Sequence, residues 1–212
     1  MSSDLSRPAV RTGVRLETLT VVWMLTEAAV ALLAGITAGS VLLIAFGFDS
    51  IIELASGSVL LWRLFTELRG GDTEPIESIE HRATQFVAVT LVLLCVYVLL
   101  TSIVGLATHA TPEPSPAGIA IAAAAVIVMP WLGLSKRRVA AQIESSALRG
   151  DAAESFTCGY MAATVLVGLV LNAALHWWWA EYIAAIGFLG WLLLETREAV
   201  EEARGATVER TA

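Results

Sequence analysis

The sequence predicts an all-α fold, a polytopic membrane protein built as a six-transmembrane helix bundle, and three observations lead to this fold class. Of the 212 residues, 57% are hydrophobic and only 16% are charged, whereas soluble domains contain about 45–50% apolar residues. Apolar runs recur along the chain at lengths near the ~20 residues that a membrane-spanning helix needs. The Lys and Arg residues cluster in alternate connections, as expected when loops lie on two sides of a membrane.

Six apolar runs are assigned as membrane spans. They cover about Leu16–Ile36, Ser40–Leu68, Ala83–Leu106, Ala117–Leu134, a stretch from at or before Asp151 to about Leu175, and about Ala180–Leu194.

Turn and polar residues separate the first three spans. Gly35–Gly39 gives a tight turn, and Ser40 after it has the side chain of a good N-cap for the second span. The acidic segment Asp72–Glu80 contains Pro75 and is predicted to be a solvated loop before the third span.

The later spans are bounded by proline and aromatic residues. Three prolines lie in the segment Thr111–Pro116, which is predicted to break the chain before the fourth span. Pro130 is expected to kink that span. The run His176–Trp179 contains three Trp residues and marks a membrane interface before the sixth span.

The basic residues predict the topology. The connections near Thr37, Thr111 and His176 carry no Lys or Arg. By the positive-inside rule, both termini are therefore expected in the cytoplasm. The protein is expected in the inner (plasma) membrane. All 13 Lys and Arg residues fall on the side of the termini: Arg7, Arg11, Arg15, Arg63, Arg69, Arg82, Lys136, Arg137, Arg138, Arg149, Arg197, Arg204 and Arg210.

This topology divides the chain into three parts. Residues 1–15 form a cytoplasmic N-terminal segment, residues 16–195 form the transmembrane domain, and residues 196–212 form a short cytoplasmic tail.

Several function classes are excluded by composition. The net charge of −7 argues against a nucleic-acid partner, for which a basic stripe is expected. The chain has no Gly-rich phosphate loop, no Ser–His–Asp set and no Cys-x-x-Cys pair. We therefore expect no enzyme activity and no permanently bound cofactor. Cys95 and Cys158 both fall in predicted spans, so a disulfide framework is not indicated.

Asp49 and Glu53 lie within the second span, four residues apart and on one face of a helix. Carboxylates in hydrocarbon are costly and usually face a partner, a cavity or an ion path. Like charges on adjacent turns also repel each other, and a divalent cation or a shared proton would relieve both costs. The alternative is structural, with the two acids bonded to Ser, Thr or Arg of a neighbouring helix.

A complementary pair lies in the fifth span. Glu154 and Cys158 are again four residues apart, and Asp151 lies on the same face toward the cytoplasm. Two such helices can build a site of four ligands, the coordination number that Zn²⁺ prefers. The predicted metal site is Asp49, Glu53, Glu154 and Cys158, with Asp151 as a secondary residue.

Glu27 is an acid within the first span. Three roles fit it equally well: a proton carrier, a partner of the metal ligands, or a packing residue bonded to Thr or Ser.

The second and fifth spans resemble those of the cation diffusion facilitators. Ser40–Glu53 looks like that family's second helix, where an apolar run and Asp-x-x-x-Asp carry half of the transport site. Ala153–Cys158 falls where the family's fifth helix has His-x-x-x-Asp, and Trp179–Ala185 resembles the start of its sixth helix. The resemblance covers about Glu17–Ala203.

The resemblance implies a compact, transmembrane-only transporter. Glu53 replaces the second Asp of the family pattern, and Glu154 and Cys158 replace the His and Asp. We expect the protein to function without the family's His-rich loop and C-terminal metal-binding domain. The resemblance also implies a homodimer in the lipid membrane, with contacts made by spans such as the third and sixth.

The leading hypothesis is a divalent cation exporter driven by proton influx, with Zn²⁺ as substrate. Mn²⁺ and Fe²⁺ are the alternative metals, because three carboxylates tolerate harder ions. The alternative function is a membrane regulatory or interaction protein whose buried acids only fasten helices and which binds no metal.

Overall fold

The structure, a computed structural model, describes residues 3–69, 74–143 and 145–211, and over these residues the chain forms six helices and no strand. The all-α fold predicted from the sequence is confirmed. The helices are α1 (Ser3–Ala38), α2 (Val41–Leu68), α3 (Glu74–Thr108), α4 (Pro116–Ile143), α5 (Ser146–Leu175) and α6 (Trp178–Thr211).

The connections use the local chemistry that their residues provide. Gly39 adopts φ +64°, a conformation that glycine reaches without steric cost, and so reverses the chain between α1 and α2. Ser40 then caps α2, since its Oγ accepts a hydrogen bond from the Leu43 N–H at 3.3 Å. Ser145 caps α5 in the same way, and His176 ends α5 in the left-handed region. The predicted N-cap at Ser40 is confirmed.

The helices run further than the predicted spans because their polar ends are good helix formers. The loop expected over Asp72–Glu80 is wrong from Glu74 onward, where α3 has already begun. Pro75 lies in the first turn, where its missing N–H costs no hydrogen bond. Residues 70–73 lie outside the described part of the chain. Likewise α6 continues through the predicted tail, whose Glu, Ala and Arg residues favour helix.

The helices pack as a ring in the order α1–α2–α3–α6–α5–α4, which closes because α4 also packs on α1. Across the middle of this ring, α2 contacts α5 and α6. The main core therefore lies where α2 meets the opposite helices, around Phe46, Met129, Met161 and Phe188, each fully buried. This arrangement places the acidic face of α2 inside the bundle.

Five of the helices are long and apolar enough to cross a membrane, within the described residues: α1, α2, α3, α4 and α5. The span of α6 is shorter, because Trp residues and Glu181 begin the helix and Glu195 ends its apolar part. Large apolar side chains such as Val22, Leu25 and Leu93 are exposed on the outside of the bundle. A lipid environment accounts for this surface, since patches of this extent are rare on soluble monomers.

Short connections make consecutive helices antiparallel. Both termini therefore lie at one end of the bundle, which we call the basic end because all 13 Lys and Arg residues belong to its half-helices and connections. The turn at Gly39, the segment 109–115 and the turn at His176 lie at the opposite end.

Candidate metal-cation site

The Asp49 carboxylate is buried inside the bundle without a hydrogen-bond donor. Its side chain is only 1% exposed. Among the residues that the structure describes, neither of its oxygens accepts a hydrogen bond, and neither does Oε1 of the buried Glu53. Buried polar groups are nearly always hydrogen-bonded. Three carboxylate oxygens on two turns of α2 therefore lack the partners that would offset their burial.

Glu27 of α1 lies against the same part of α2. Its Oε1 accepts a hydrogen bond from Ser50 at 2.8 Å, and its Oε2 accepts one from the indole N–H of Trp23 at 2.7 Å. The carboxylate is fully buried. These two hydrogen bonds hold Glu27 near Asp49, and the charges of the two carboxylates repel each other.

Cys158 of α5 adds a thiol to this group of side chains, to which α1, α2 and α5 now each contribute. Its side chain is fully buried, and its Sγ lies 3.8 Å from Oε1 of Glu27. The thiol also lies beside the Glu53 carboxylate. The next residue, Gly159, lies against Pro130 of α4, so α4 and α5 pack closely at this level.

Glu154 has a different environment from the other three predicted ligands. Its side chain is exposed, and it acts on Asp49 and Glu53 through its charge. Within the described residues, no group of three or more His, Cys, Asp or Glu side chains is close enough to hold a metal ion together. The structure thus gathers Asp49, Glu53 and Cys158 around Glu27 without bringing four ligands into one coordination sphere, and the four-ligand site stays a prediction.

Asp151, the predicted secondary residue, is engaged elsewhere. Its Oδ2 lies 2.5 Å from Nζ of Lys136, which also lies 3.0 Å from Oε2 of Glu17. Glu17 and Lys136 were not expected in any site. The sequence did carry a signal for these two residues. Each is a charged residue at the end of an apolar run, and in the structure the helix continues past it.

Glu195 of α6 is a further acid that the sequence did not place at the site. Its charge repels Asp49, and its Oε2 is buried without a hydrogen-bond donor from the described residues. The predicted sixth span ended at Leu194, and Glu195 was the last residue of the predicted transmembrane domain, with no role in the site. Since α6 continues as a helix and packs on α2, Glu195 instead points an acid toward the α2 pair.

The opposite end of the bundle shows how a structural acid is accommodated in this protein. Glu181 of α6 is 2% exposed, yet both its oxygens have partners. Ser40 donates to Oε2, and Asn172 donates to Oε1 at 2.7 Å. Asn172 also donates to the Pro112 carbonyl at 3.1 Å, which ties the segment 109–115 to this network. The unpartnered Asp49 contrasts with this fully bonded carboxylate.

Comparison with protein families gives a match over most of the chain. The family model described as the cation efflux transmembrane domain matches residues 18–205. Comparison with curated proteins finds no match. The matched range includes Glu27, Asp49, Glu53, Glu154, Cys158 and Glu195.

Proposed function

The chain belongs to the family defined by the cation efflux transmembrane domain, and on this premise we propose that it exports Zn²⁺ through a site formed by Asp49, Glu53 and Cys158, with Glu154 as the fourth ligand. The family supports the coarser statement, a multi-pass membrane transporter of divalent metal cations. The metal, the site and the coupling ion are our proposal.

One observation carries the site assignment: the Asp49 carboxylate is buried with neither oxygen hydrogen-bonded, within the described residues. A structural acid in this chain looks like Glu181, with a donor on each oxygen. Asp49 instead faces other acids, an arrangement that a divalent cation stabilises and that costs free energy without one. Buried negative charge without donors is the environment of a cation path.

The separation of the ligands in this structure fits a transport site. Asp49, Glu53 and Glu154 repel one another when no cation lies between them, so the ligands have reason to stand apart. A cation would draw Glu154 inward from its exposed position by attraction. A transporter also has to release its ion, which a rigid, closed metal site would hinder.

The ligand types favour Zn²⁺ over harder ions. A thiolate suits borderline and soft metals, whereas carboxylates also accept Mn²⁺ and Fe²⁺. Cys158 is the one sulfur among the proposed ligands, so metal preference should depend on it.

Proton coupling follows from the same ligands. Carboxylates and thiols bind a metal only when deprotonated, so protons and Zn²⁺ compete for one site. With the basic end in the cytoplasm, as the positive-inside rule indicates, cation leaves the cell when protons enter through the opposite end. Rocking of the helix bundle about a fixed central site would provide alternating access. We place the protein in the inner (plasma) membrane as a homodimer.

The test is metal-by-metal flux into proteoliposomes made with the purified full chain. With a proton gradient imposed, we expect Zn²⁺ flux above that of protein-free vesicles and a lower flux when the gradient is collapsed. If the buried acids only hold helices together, the protein would give no Zn²⁺ flux in proteoliposomes and no heat of Zn²⁺ binding in calorimetry. Flux of Mn²⁺ with none of Zn²⁺ would overturn the assignment of the metal alone.

A further inference from the structure

Lys136 of α4 is a buried cation held between two acids of other helices. Its Nζ lies 3.0 Å from Oε2 of Glu17 in α1 and 2.5 Å from Oδ2 of Asp151 in α5. The side chains of Lys136 and Glu17 are fully buried. We call these three residues the ion triad. It joins three helices of the ring through a single ammonium group.

The ion triad lies directly on the basic side of the candidate metal site. A Cβ atom added to Gly57 of α2 would meet Oε1 of Glu17 at 2.8 Å, so this glycine leaves room for the acid. Gly57 follows Glu53 by four residues, on the same helix face. The ion triad is therefore about one helical turn, ~6 Å, from Glu53 along α2.

Along α5, the ion triad again lies on the basic side of the candidate metal site. Asp151 precedes Cys158 by two turns, about 10 Å, and lies closer to the basic end. Its side chain retains 12% exposure, whereas those of Glu17 and Lys136 have none. The ion triad thus extends from the edge of the bundle inward and lies between the basic end and the site.

Stability alone is a poor reason for such an arrangement. The cost of removing charges from water is commonly as large as their attraction, and apolar side chains of similar size hold helices together equally well. Removing one partner is different, because it leaves the remaining charges buried and unpaired. Loss of the ammonium from the ion triad would therefore leave two buried acids facing each other, which favours separation of the helices that carry them.

We propose that Lys136 is the positioning residue of a gate at the basic end, which the ion triad closes over the cation site. This inference rests on the proposed function of the site that it covers. When Lys136 withdraws, Glu17 and Asp151 repel each other, α1 and α5 separate at this end, and water reaches Asp49, Glu53 and Cys158. When the ammonium returns, the path closes.

The thiol of Cys158 provides a reporter for the gate. The chain has two cysteines, so a Cys95→Ser background leaves Cys158 as the single thiol. The full chain is prepared in vesicles whose basic end faces outward, and the labelling rate with a membrane-impermeant maleimide is measured. In Lys136→Met we expect labelling at least tenfold faster than in the background, because the two acids lose their counter-ion.

Two controls separate the gate from a general loss of positive charge. Arg137→Gln removes a charge from the exposed neighbour of Lys136 and should leave the labelling rate unchanged. Lys136→Arg keeps the cation and should restore the rate of the background. A folded Lys136→Met protein that labels at the background rate would overturn the gate.

If Lys136→Met does not fold, as judged by size-exclusion chromatography, a second variant tests the gate. Glu17→Gln keeps the Lys136–Asp151 pair and removes the charge that attracts Lys136 to α1, which weakens the contact that holds the gate closed, so labelling should rise at least threefold. An unchanged rate in that variant would equally overturn the gate. Zn²⁺ flux by the wild-type chain is measured on the same preparations, so a failure of the proposed function is seen separately from a failure of the gate.

Discussion

The thiol of Cys158 in α5 lies 3.8 Å from Oε1 of Glu27 in α1, and the same oxygen accepts a hydrogen bond from Ser50 in α2. One carboxylate oxygen therefore connects the two helices that carry the proposed ligands. Its hydrogen bond to Ser50 fits two of the three roles open for Glu27, a packing residue and a partner of the metal ligands; we propose the partner role, since Ser50 is the neighbour of Asp49 in sequence.

Glu27→Gln should weaken Zn²⁺ binding by about tenfold while the protein stays folded, because partners of metal ligands typically contribute affinity of that order. The amide keeps the size of the carboxylate and removes its charge from the neighbourhood of Asp49. Calorimetry on purified protein measures the change. Glu113→Gln, an exposed acid at the opposite end, is the matched control and should bind like the wild type. Equal affinity in both variants would show that Glu27 is a packing residue.

Cys158→Asp should shift metal preference from Zn²⁺ toward Mn²⁺, because it replaces a soft ligand with a hard one. The ratio of Zn²⁺ to Mn²⁺ flux in proteoliposomes reports this directly. Cys95→Ser is the control: Cys95 lies 3.4 Å from the Thr196 hydroxyl and is not a proposed ligand, so replacing its sulfur with the oxygen of a similarly sized side chain should leave the ratio as it is. An unaltered ratio in Cys158→Asp would remove Cys158 from the ligand set.

Glu195→Gln should lower the affinity for Zn²⁺ about three- to tenfold through the loss of a charge that acts on Asp49 at short range. Glu198 lies one turn further along α6 and is exposed, where solvent screens its charge. Glu198→Gln should therefore have a much smaller effect in the same titration. If the two variants are indistinguishable, Glu195 has no part in the cation path.

Asn172→Ala should destabilise the fold by about 1–3 kcal/mol, because it leaves Oε1 of Glu181 and the Pro112 carbonyl without their donor. Thermal unfolding in detergent measures the loss. Thr164→Ala removes a hydroxyl that bonds only within its own helix and should change stability little. Zn²⁺ affinity should stay at the wild-type level in both variants, since this network lies at the end away from the site.

The helices and the central acids could be predicted from the sequence because hydrophobicity and spacing carry that information locally. An apolar run of about 20 residues identifies a span wherever it packs. Two acids at i and i+4 share a helix face in any fold. Asp49 and Glu53 were therefore predictable as a pair, and the all-helical fold was confirmed.

The partners of those acids could not be predicted, because they depend on which helices meet. Nothing local to Lys136 shows that α4 carries it between Glu17 and Asp151, or that Gly57 of α2 makes room for Glu17. Glu195 could not be linked to the α2 acids for a related reason. Its position at the boundary between apolar and charged residues does not show that α6 packs on α2, which brings this acid near Asp49.

The proposed gate and the proposed cation site can be tested separately. Variants of the ion triad should change how readily the site is reached from the basic end, whereas variants of Asp49 should change whether a cation is held there at all. Comparing Zn²⁺ affinity with Cys158 labelling in one set of proteins distinguishes these two effects.

The measurement that bears most directly on the cation site is Zn²⁺ flux by Asp49→Asn in proteoliposomes with a proton gradient. Asparagine keeps the size of the buried side chain and removes the charge whose oxygens have no donor. With Glu113→Gln as the control that transports normally, we expect Asp49→Asn to fold and to show no Zn²⁺ flux above that of protein-free vesicles. Wild-type flux by the Asp49→Asn protein would contradict the assignment of the site.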